Sequence, residues 1–500
     1  MKSLNPYSAN KWLLCALPVL ALCLIIACSD DDKKDNPIIP DSLSITSFSP
    51  SQGEAGTEIT VIGTGFSTVS SENTVTLGTT PVTLNLAEAG KLKFNVPEGA
   101  SSGTVSVTTN GVKVTSTSTF EVVVPEPILE ILDYDPKEGE WDTYVVIEGN
   151  NFAPANNVVL FNGVMAEVFQ ESPSQITVTV PENSRSGKIE VRDPIDDRSA
   201  ITADDFTVFH GRWTQIADFG GEKSSLSVAF TISGKGYVVM SGEEPSTDVW
   251  SYTPETNKWE IEPNQFGGIA RYSAVGFVIE DEAYVGSGRR NNLNWGDFWN
   301  FKSGVWSTVN TFPEGDRWWA VGFSNGNKGF VGTGFNGDNM ESKDFWEYDP
   351  LDNLWTQKAD FGGAARFSAA GFVIGEKGYI GTGYGGNSGF SDFWEYDISE
   401  DKWLKRANVG GEEGSLRSNA VGFELNGKGY IGLGIDEAEN RLKDFWEYDP
   451  DNDKWVGIAD FKGDARTGAS VFVIDGKAYV GLGNSDDDEL KDFWVFDPGN

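Results

Sequence analysis

This 500-residue chain holds one histidine and three cysteines beside 38 basic and 75 acidic residues. With His210 the single imidazole and Cys15, Cys23 and Cys28 confined to an N-terminal stretch, neither a Ser-His nor a Cys-His nucleophile system can be assembled. The same shortage rules out a copper, zinc or iron site built from His and Cys. No catalytic residue, metal or cofactor is therefore assigned, and an enzyme is the less favoured reading. What does recur is arginine: Arg271, Arg317, Arg366, Arg417 and Arg466 each stand six residues before a Phe, with Ser224 in the equivalent place before Phe230. A guanidinium presents paired donors in a fixed plane, which suits carboxylate or sulfate, so five of them form a candidate ligand-binding ring for an anionic or polyhydroxylated molecule. The competing reading ties each Arg to its own repeat, through carbonyls or a carboxylate, and recurrence in nearly every copy favours that, because a repeated residue generally serves the repeat. Trp295, Phe390, Trp318, Trp319 and Tyr272 recur less. Trp295 and Phe390 fall where the copies differ, and are the stronger candidates for stacking on a sugar. The run Asp486-Asp487-Asp488-Glu489 matches no calcium-loop spacing and reads as solvated surface.

A formal net charge of −37 opposes a nucleic-acid partner, since a polyanion is repelled instead of exchanging its counterions for protein cations. The chain opens with Lys2 and Lys11 around an apolar run from Trp12 to Ala27, too short for a comfortable span and ending in small residues, the pattern of a secretory signal. Residues 1–27 are read as that signal. Ile25-Ile26-Ala27-Cys28 resembles a bacterial lipobox, which implies cleavage before Cys28 and its acylation, and several acyl chains anchor a protein stably to membrane. Residues 28–42, with Asp30-Asp31-Asp32 and Pro37, read as a solvated tether. This acidic run also resembles the export signal of Bacteroidetes lipoproteins, implying an outer-membrane protein that faces the exterior.

From 43 to 124 and again from 127 to 209 the chain alternates apolar and polar residues in short runs broken by Gly, Pro, Ser and Asn, as small antiparallel sandwiches do. Pro50 and Gly63 match Pro136 and Gly149, and Pro97 with Gly103 match Pro181 with Gly187. The segments "SFSPSQGEAGTEITVIGTGF" and "DYDPKEGEWDTYVVIEGNNF" resemble IPT/TIG domains, immunoglobulin-like sandwiches that usually serve as spacers or interaction modules. That function is an expectation from the resemblance alone.

Beyond His210 a repeat of about fifty residues takes over, marked by Trp213, Trp259, Trp306, Trp355, Trp403 and Trp455. Each copy runs through an Arg, an apolar strand ending in Phe, a Gly-Lys type turn, a Tyr-x-Gly-x-Gly strand, a variable loop and Asp-Phe-Trp, as in "ARFSAAGFVIGEKGYIGTG" followed by "DFWEYD". These motifs resemble kelch repeats over 211–500, although Gly-x-Gly stands where kelch has adjacent glycines and the usual His after the Arg is missing. Six copies are present. The last stops after its third strand, and Arg212-Trp213-Thr214-Gln215-Ile216 is left over at the start, so this N-terminal strand is expected to complete the final blade and close the ring. The predicted fold is all-β, two immunoglobulin-like β-sandwiches followed by a six-bladed kelch β-propeller closed by an N-terminal strand.

Antiparallel neighbours place the second-to-third-strand loops and the inter-blade loops on one face, and variable loops on a rigid scaffold are where binding usually resides. The expected function is a non-catalytic cell-surface lipoprotein that binds a glycan or a partner protein through that face. The alternative is a kelch-type sugar mutarotase or epimerase, resembling sialic-acid epimerase, with channel Arg residues and Glu222, Glu314, Glu412 or Glu413 doing acid-base work.

Overall fold

A computed structural model of the chain describes residues 42–240, 246–411 and 414–499. Cys28, the proposed signal and tether, and Glu412 and Glu413 lie outside the described residues. Residues up to Glu126 form one compact unit, and Pro127 to Asn500 a second.

In the first unit, a four-stranded sheet built on Ser44–Ser49, Glu58–Thr64, Lys91–Asn95 and Leu84–Glu88 faces a five-stranded sheet centred on Asn73–Leu77, Gly103–Thr109 and Val112–Val122. Alternation decides what is buried: Ile59 and Val61 point inward with no exposure, along with Leu92, Phe94, Val105 and Val107, as a period of two requires. The second sandwich repeats the plan with Glu130–Asp135, Tyr144–Asn150, Gln175–Thr179 and Val168–Ser172 in one sheet. The matched glycines have a steric reason. A Cβ on Gly63 would sit 2.0 Å from the Ser44 carbonyl and 2.5 Å from the Phe66 ring, and one on Gly149 would sit 2.1 Å from the Glu130 carbonyl and 2.2 Å from Phe152.

The repeats fold as six four-stranded antiparallel sheets, five of them continuous in sequence. First strands are Val228–Ile232, Val275–Ile279, Val321–Ser324, Ala370–Ile374, Val421–Leu425 and Ser470–Ile474. The sixth blade takes Arg212–Gln215 as its outer strand, paired with Phe493–Asp497, so the ring closes as expected. Trp213 seals that join: its ring centroid lies 4.8 Å from that of Phe496, and 4.9 Å from those of Phe445 and Phe461, while its indole N–H donates to the Ala459 carbonyl at 3.0 Å. Adjacent blades pack through aromatic layers such as Phe345 against Tyr396 and Trp403, which is why the Asp-Phe-Trp strands carry bulky residues on both faces.

The second sandwich belongs to the same unit as the propeller. Arg212 pairs with Asp142 at 2.9 Å and Lys462 with Glu140 at 2.6 Å. Arg185 donates to the Pro498 carbonyl at 3.4 Å, and Trp141 lies against Gly499. His210, buried at the junction, contacts Glu447 at 3.0 Å, and the Tyr430 hydroxyl donates to the same carboxylate at 2.6 Å. Burial pushes the Glu447 carboxyl up, but the hydrogen bond and charge of His210 outweigh it and leave the carboxyl below its usual value.

Candidate functional site at the mouth of the propeller

The five repeated arginines sit where the inter-blade loops enter the first strands, and each is at most 1% exposed. Their planar donors meet the Asp of Asp-Phe-Trp in the same blade. Arg366 bonds both oxygens of Asp392 at 2.6 and 2.9 Å, Arg317 those of Asp344 at 2.7 Å, and Arg466 those of Asp492 at 2.7 and 2.8 Å. Arg271 does the same with Asp297, and Arg417 holds Asp444 through one nitrogen. The Trp of Asp-Phe-Trp also donates to the same carboxylate, as with Trp394 to Asp392 at 2.7 Å and Trp299 to Asp297 at 2.8 Å. Burial raises the carboxyls of Asp297, Asp392 and Asp492, yet the Arg bonds and charge bring each below its ordinary value.

The arginines also stitch the ring together. Arg366 donates to the Thr382 carbonyl at 2.8 Å in its own blade, and its own carbonyl accepts the Gly334 N–H of the preceding blade at 2.7 Å. Gly383, Gly434 and Gly288 make the same link to Arg417, Arg466 and Arg317. Ser224 keeps it with its carbonyl, accepting from Gly483 at 2.7 Å, although it has no guanidinium to offer. The last Gly of each Gly-x-Gly has φ between +82° and +104°, a left-handed bend that glycine adopts without a Cβ penalty. The five arginines are thus buried in ion pairs within their own blades, the arrangement of the structural reading that recurrence favours.

Trp295 and Phe390 lie beside two of these pairs. The Arg271 guanidinium lies 5.2 Å from the Trp295 ring and that of Arg366 lies 4.0 Å from Phe390, so both half-buried aromatics cover ion pairs from above. Glu222 and Glu314 are exposed, and the arginines with which they would share acid-base work are held in these pairs.

What the structure gathers at the mouth instead is a one-sided aromatic cluster. The residue after each Arg bridges to the residue after each Gly-x-Gly: Tyr272 with Arg289, Trp318 with Phe335, Phe367 with Tyr384, Ser418 with Ile435, and Thr467 with Asn484. Both partners are aromatic on blades three and four and one is aromatic on blade two, whereas blades five and six have Ser418 with Ile435 and Thr467 with Asn484. Phe335 and Phe367 have centroids 4.4 Å apart, Trp318 stacks on Trp319 at 4.5 Å and on Phe335 at 4.9 Å, and Trp319 stacks on Phe367 at 5.3 Å. Rarity of residue type does not single out Phe335, Phe367 and Tyr384; their signal is position, since they occupy repeat sites whose residue type changes from copy to copy.

One residue further in, Leu226, Ser273, Trp319, Ser368, Asn419 and Gly468 all adopt positive φ between 51° and 64°. Each donates its N–H to the carbonyl of its counterpart on the blade before, from Leu226 to Gly468 at 2.9 Å, round through Ser368 to Trp319 at 3.0 Å, and back from Gly468 to Asn419 at 3.1 Å. Six backbone bonds so form a closed hoop around the channel. These residues, with Ser227, Ala274, Ala320, Ala369, Ala420 and Ala469, line a cup of about 150 Å³.

The described fold is a β-propeller with an asymmetric aromatic mouth, preceded in the chain by two sandwich modules. The family described as IPT/TIG domain matches residues 43–122 and 129–207, so the chain carries two IPT/TIG domains. No curated protein matches. Among solved structures, one described as "Structure of YjhT" is similar at a TM-score of 0.49 and 15% identity, covering 57% of this chain and 99% of that one.

Proposed function

We propose that this is a non-catalytic, surface-facing lipoprotein, anchored to the outer membrane by acylated Cys28, whose propeller binds a glycan through the aromatic half of its mouth. The single observation that carries the binding reading is the confinement of aromatic residues at these equivalent repeat positions to blades two to four. A packing role would be shared by all blades, as the Arg-Asp pairs nearly are, whereas a ligand breaks the symmetry. Flat, half-exposed rings beside buried polar groups suit a sugar, whose apolar ring face stacks while its hydroxyls bond. Lys2, Lys11, the apolar run and Cys28 support the anchor.

A glycan array probed with the full chain, paired with a sugar-mutarotation assay, tests this reading. Array binding that is lost in Trp319→Ala, with no anomer exchange, is the expected outcome; binding unchanged in that variant would sink the aromatic site. Cys28→Ala should move the protein from the membrane fraction to the soluble fraction, and persistent membrane association would remove the anchor.

A further inference from the structure

The joints between blades are not all fastened alike. At four of them the same latch recurs. An Asn or Asp in the turn between the third and fourth strands accepts the backbone N–H of one residue in the preceding blade, a Tyr hydroxyl donates to the same oxygen, and a Trp indole donates to that residue's carbonyl. Between blades three and four these bonds are Ala359 to Asp401 at 2.8 Å, Tyr396 to Asp401 at 2.7 Å and Trp403 to Ala359 at 3.1 Å. Asn257 holds Ala217 in this way where blade six meets blade one, Asn353 holds Asn310 between blades two and three, and Asp453 holds Ala407 between blades four and five. Between blades five and six, Trp213 donates to the Ala459 carbonyl, and the Ala459 N–H donates to the His210 carbonyl at 3.0 Å.

Between blades one and two, three of the four latch residues are replaced. Phe301 stands in place of the Tyr and has no hydroxyl, Gly304 in place of the Asn or Asp and has no side chain, and Pro263 in place of the residue they hold and has no N–H. Trp306 keeps its indole, but among the described residues its buried N–H has no partner. Packing persists, with the Phe301 ring 5.7 Å from that of Tyr237. Two exposed bonds also cross this joint, from the Asn264 amide to the Gly304 carbonyl at 2.8 Å and from the Ser233 N–H to Asp281 at 2.8 Å. Beside the Ser233 and Gly304 turns a cleft of about 460 Å³ opens. At the inner end of the same joint, the hoop bond from the Ser273 N–H to the Leu226 carbonyl is 3.4 Å long, against 2.9–3.2 Å for the other five.

We infer that the propeller opens first between blades one and two, and not at the seam where Arg212–Gln215 closes the ring. One hydrogen bond contributes little net stability, but a joint short of the whole latch separates at lower cost than its neighbours, and local openings draw on the least-bonded part of a fold. The seam is secured by a paired strand, by Trp213 and by the second sandwich. The aromatic side of the mouth begins on blade two with Tyr272, so opening at this joint moves blade one away from that side while leaving each four-stranded sheet whole. This inference does not depend on what the mouth binds.

The test is hydrogen exchange of the full chain followed by mass spectrometry. The outer strand of blade one, Lys258–Ile261, should exchange about tenfold faster than its counterparts Leu354–Gln357 and Lys402–Arg406. Restoring the latch with Phe301→Tyr, Gly304→Asn and Pro263→Ala should remove that difference and raise the melting temperature. The turn accepts the Asn, because Gly304 has φ +78° and Asn257, Asn353, Asp401 and Asp453 have φ between +47° and +52°. Conversely, Tyr396→Phe with Asp401→Gly should bring Leu354–Gln357 up to the exchange rate of Lys258–Ile261, and this pair decides the matter if the restored variant does not fold. Equal exchange at all three strands, fastest exchange at Arg212–Gln215, or no effect of removing the latch from the joint between blades three and four would overturn the proposal.

Discussion

The two IPT/TIG domains have the same sheets, the same inward valines and isoleucines and the same glycine wedged against a Phe ring, yet they hold different stations in the molecule. The first is a compact unit of its own, while the second is part of one unit with the propeller. Three aligned positions account for the difference. Trp141, Asp142 and Arg185 of the second domain stand where the first has Ala55, Gly56 and Ser101, and these three meet Gly499, Arg212 and the Pro498 carbonyl. Residues 212 and 498 flank the strand pairing that closes the ring. A fold read as a spacer has thus become a brace at the seam, through residues of which Trp141 also belongs to the core of its own sandwich.

The largest effect should come from removing the brace and the closing strand together. A chain beginning at Thr214 loses Trp213 and half of the Arg212–Gln215 pairing, and we expect it to show no cooperative thermal unfolding by calorimetry; one beginning at Pro127 should retain the propeller transition of the full chain. An intact transition in the shorter chain would break the comparison. Next, Arg366→Ala should destabilise the propeller by about 3 kcal/mol in urea unfolding, the scale for leaving one member of a buried pair alone, without touching the first domain's transition. Giving the second domain the first domain's residues, Trp141→Ala with Asp142→Gly and Arg185→Ser, should cost the propeller about 2–3 kcal/mol, mostly through lost aromatic burial; a smaller loss confined to the sandwich would show that the brace does nothing for the ring. Acid should separate the units in the same direction. Asp297, Asp392, Asp492 and Glu447 have folded pKa values below their unfolded ones, so their stabilisation is complete above about pH 5 and declines as pH falls through the carboxylate range toward the folded values. The propeller's melting temperature should drop below about pH 4, and Asp392→Asn should flatten that drop. The smallest change is expected for Lys462→Ala, since its pair with Glu140 is half exposed and such pairs contribute about 0–1 kcal/mol.

Much of this architecture is legible in the order of residues along the chain. Period-two alternation in Ile59 and Val61, the fifty-residue repeat and the surplus strand at Trp213 determine sandwiches, blades and ring closure, because strand patterning and strand number are local and countable. The motif Asp-Phe-Trp is readable as packing, since its Glu varies while its aromatics persist. The role of its Asp is not. The partner Arg lies 26 or 27 residues away, and no local pattern couples a carboxylate to a guanidinium across that distance. A place in the variable loops likewise favours Trp295 and Phe390 over Phe335, Phe367 and Tyr384, whose gathering into one cluster depends on pairing between residues distant in the chain.

The sequence by itself determined the number and kind of domains, the closing strand and the absence of His- and Cys-based chemistry, all of which follow from composition and periodicity. Only the tertiary structure decided that the arginines are buried with their aspartates, that one sandwich braces the seam, and that three blades gather their aromatics on one side of the mouth. Those outcomes depend on which residues distant in the chain the closed ring brings within hydrogen-bond reach, and closure is a property of all six blades at once.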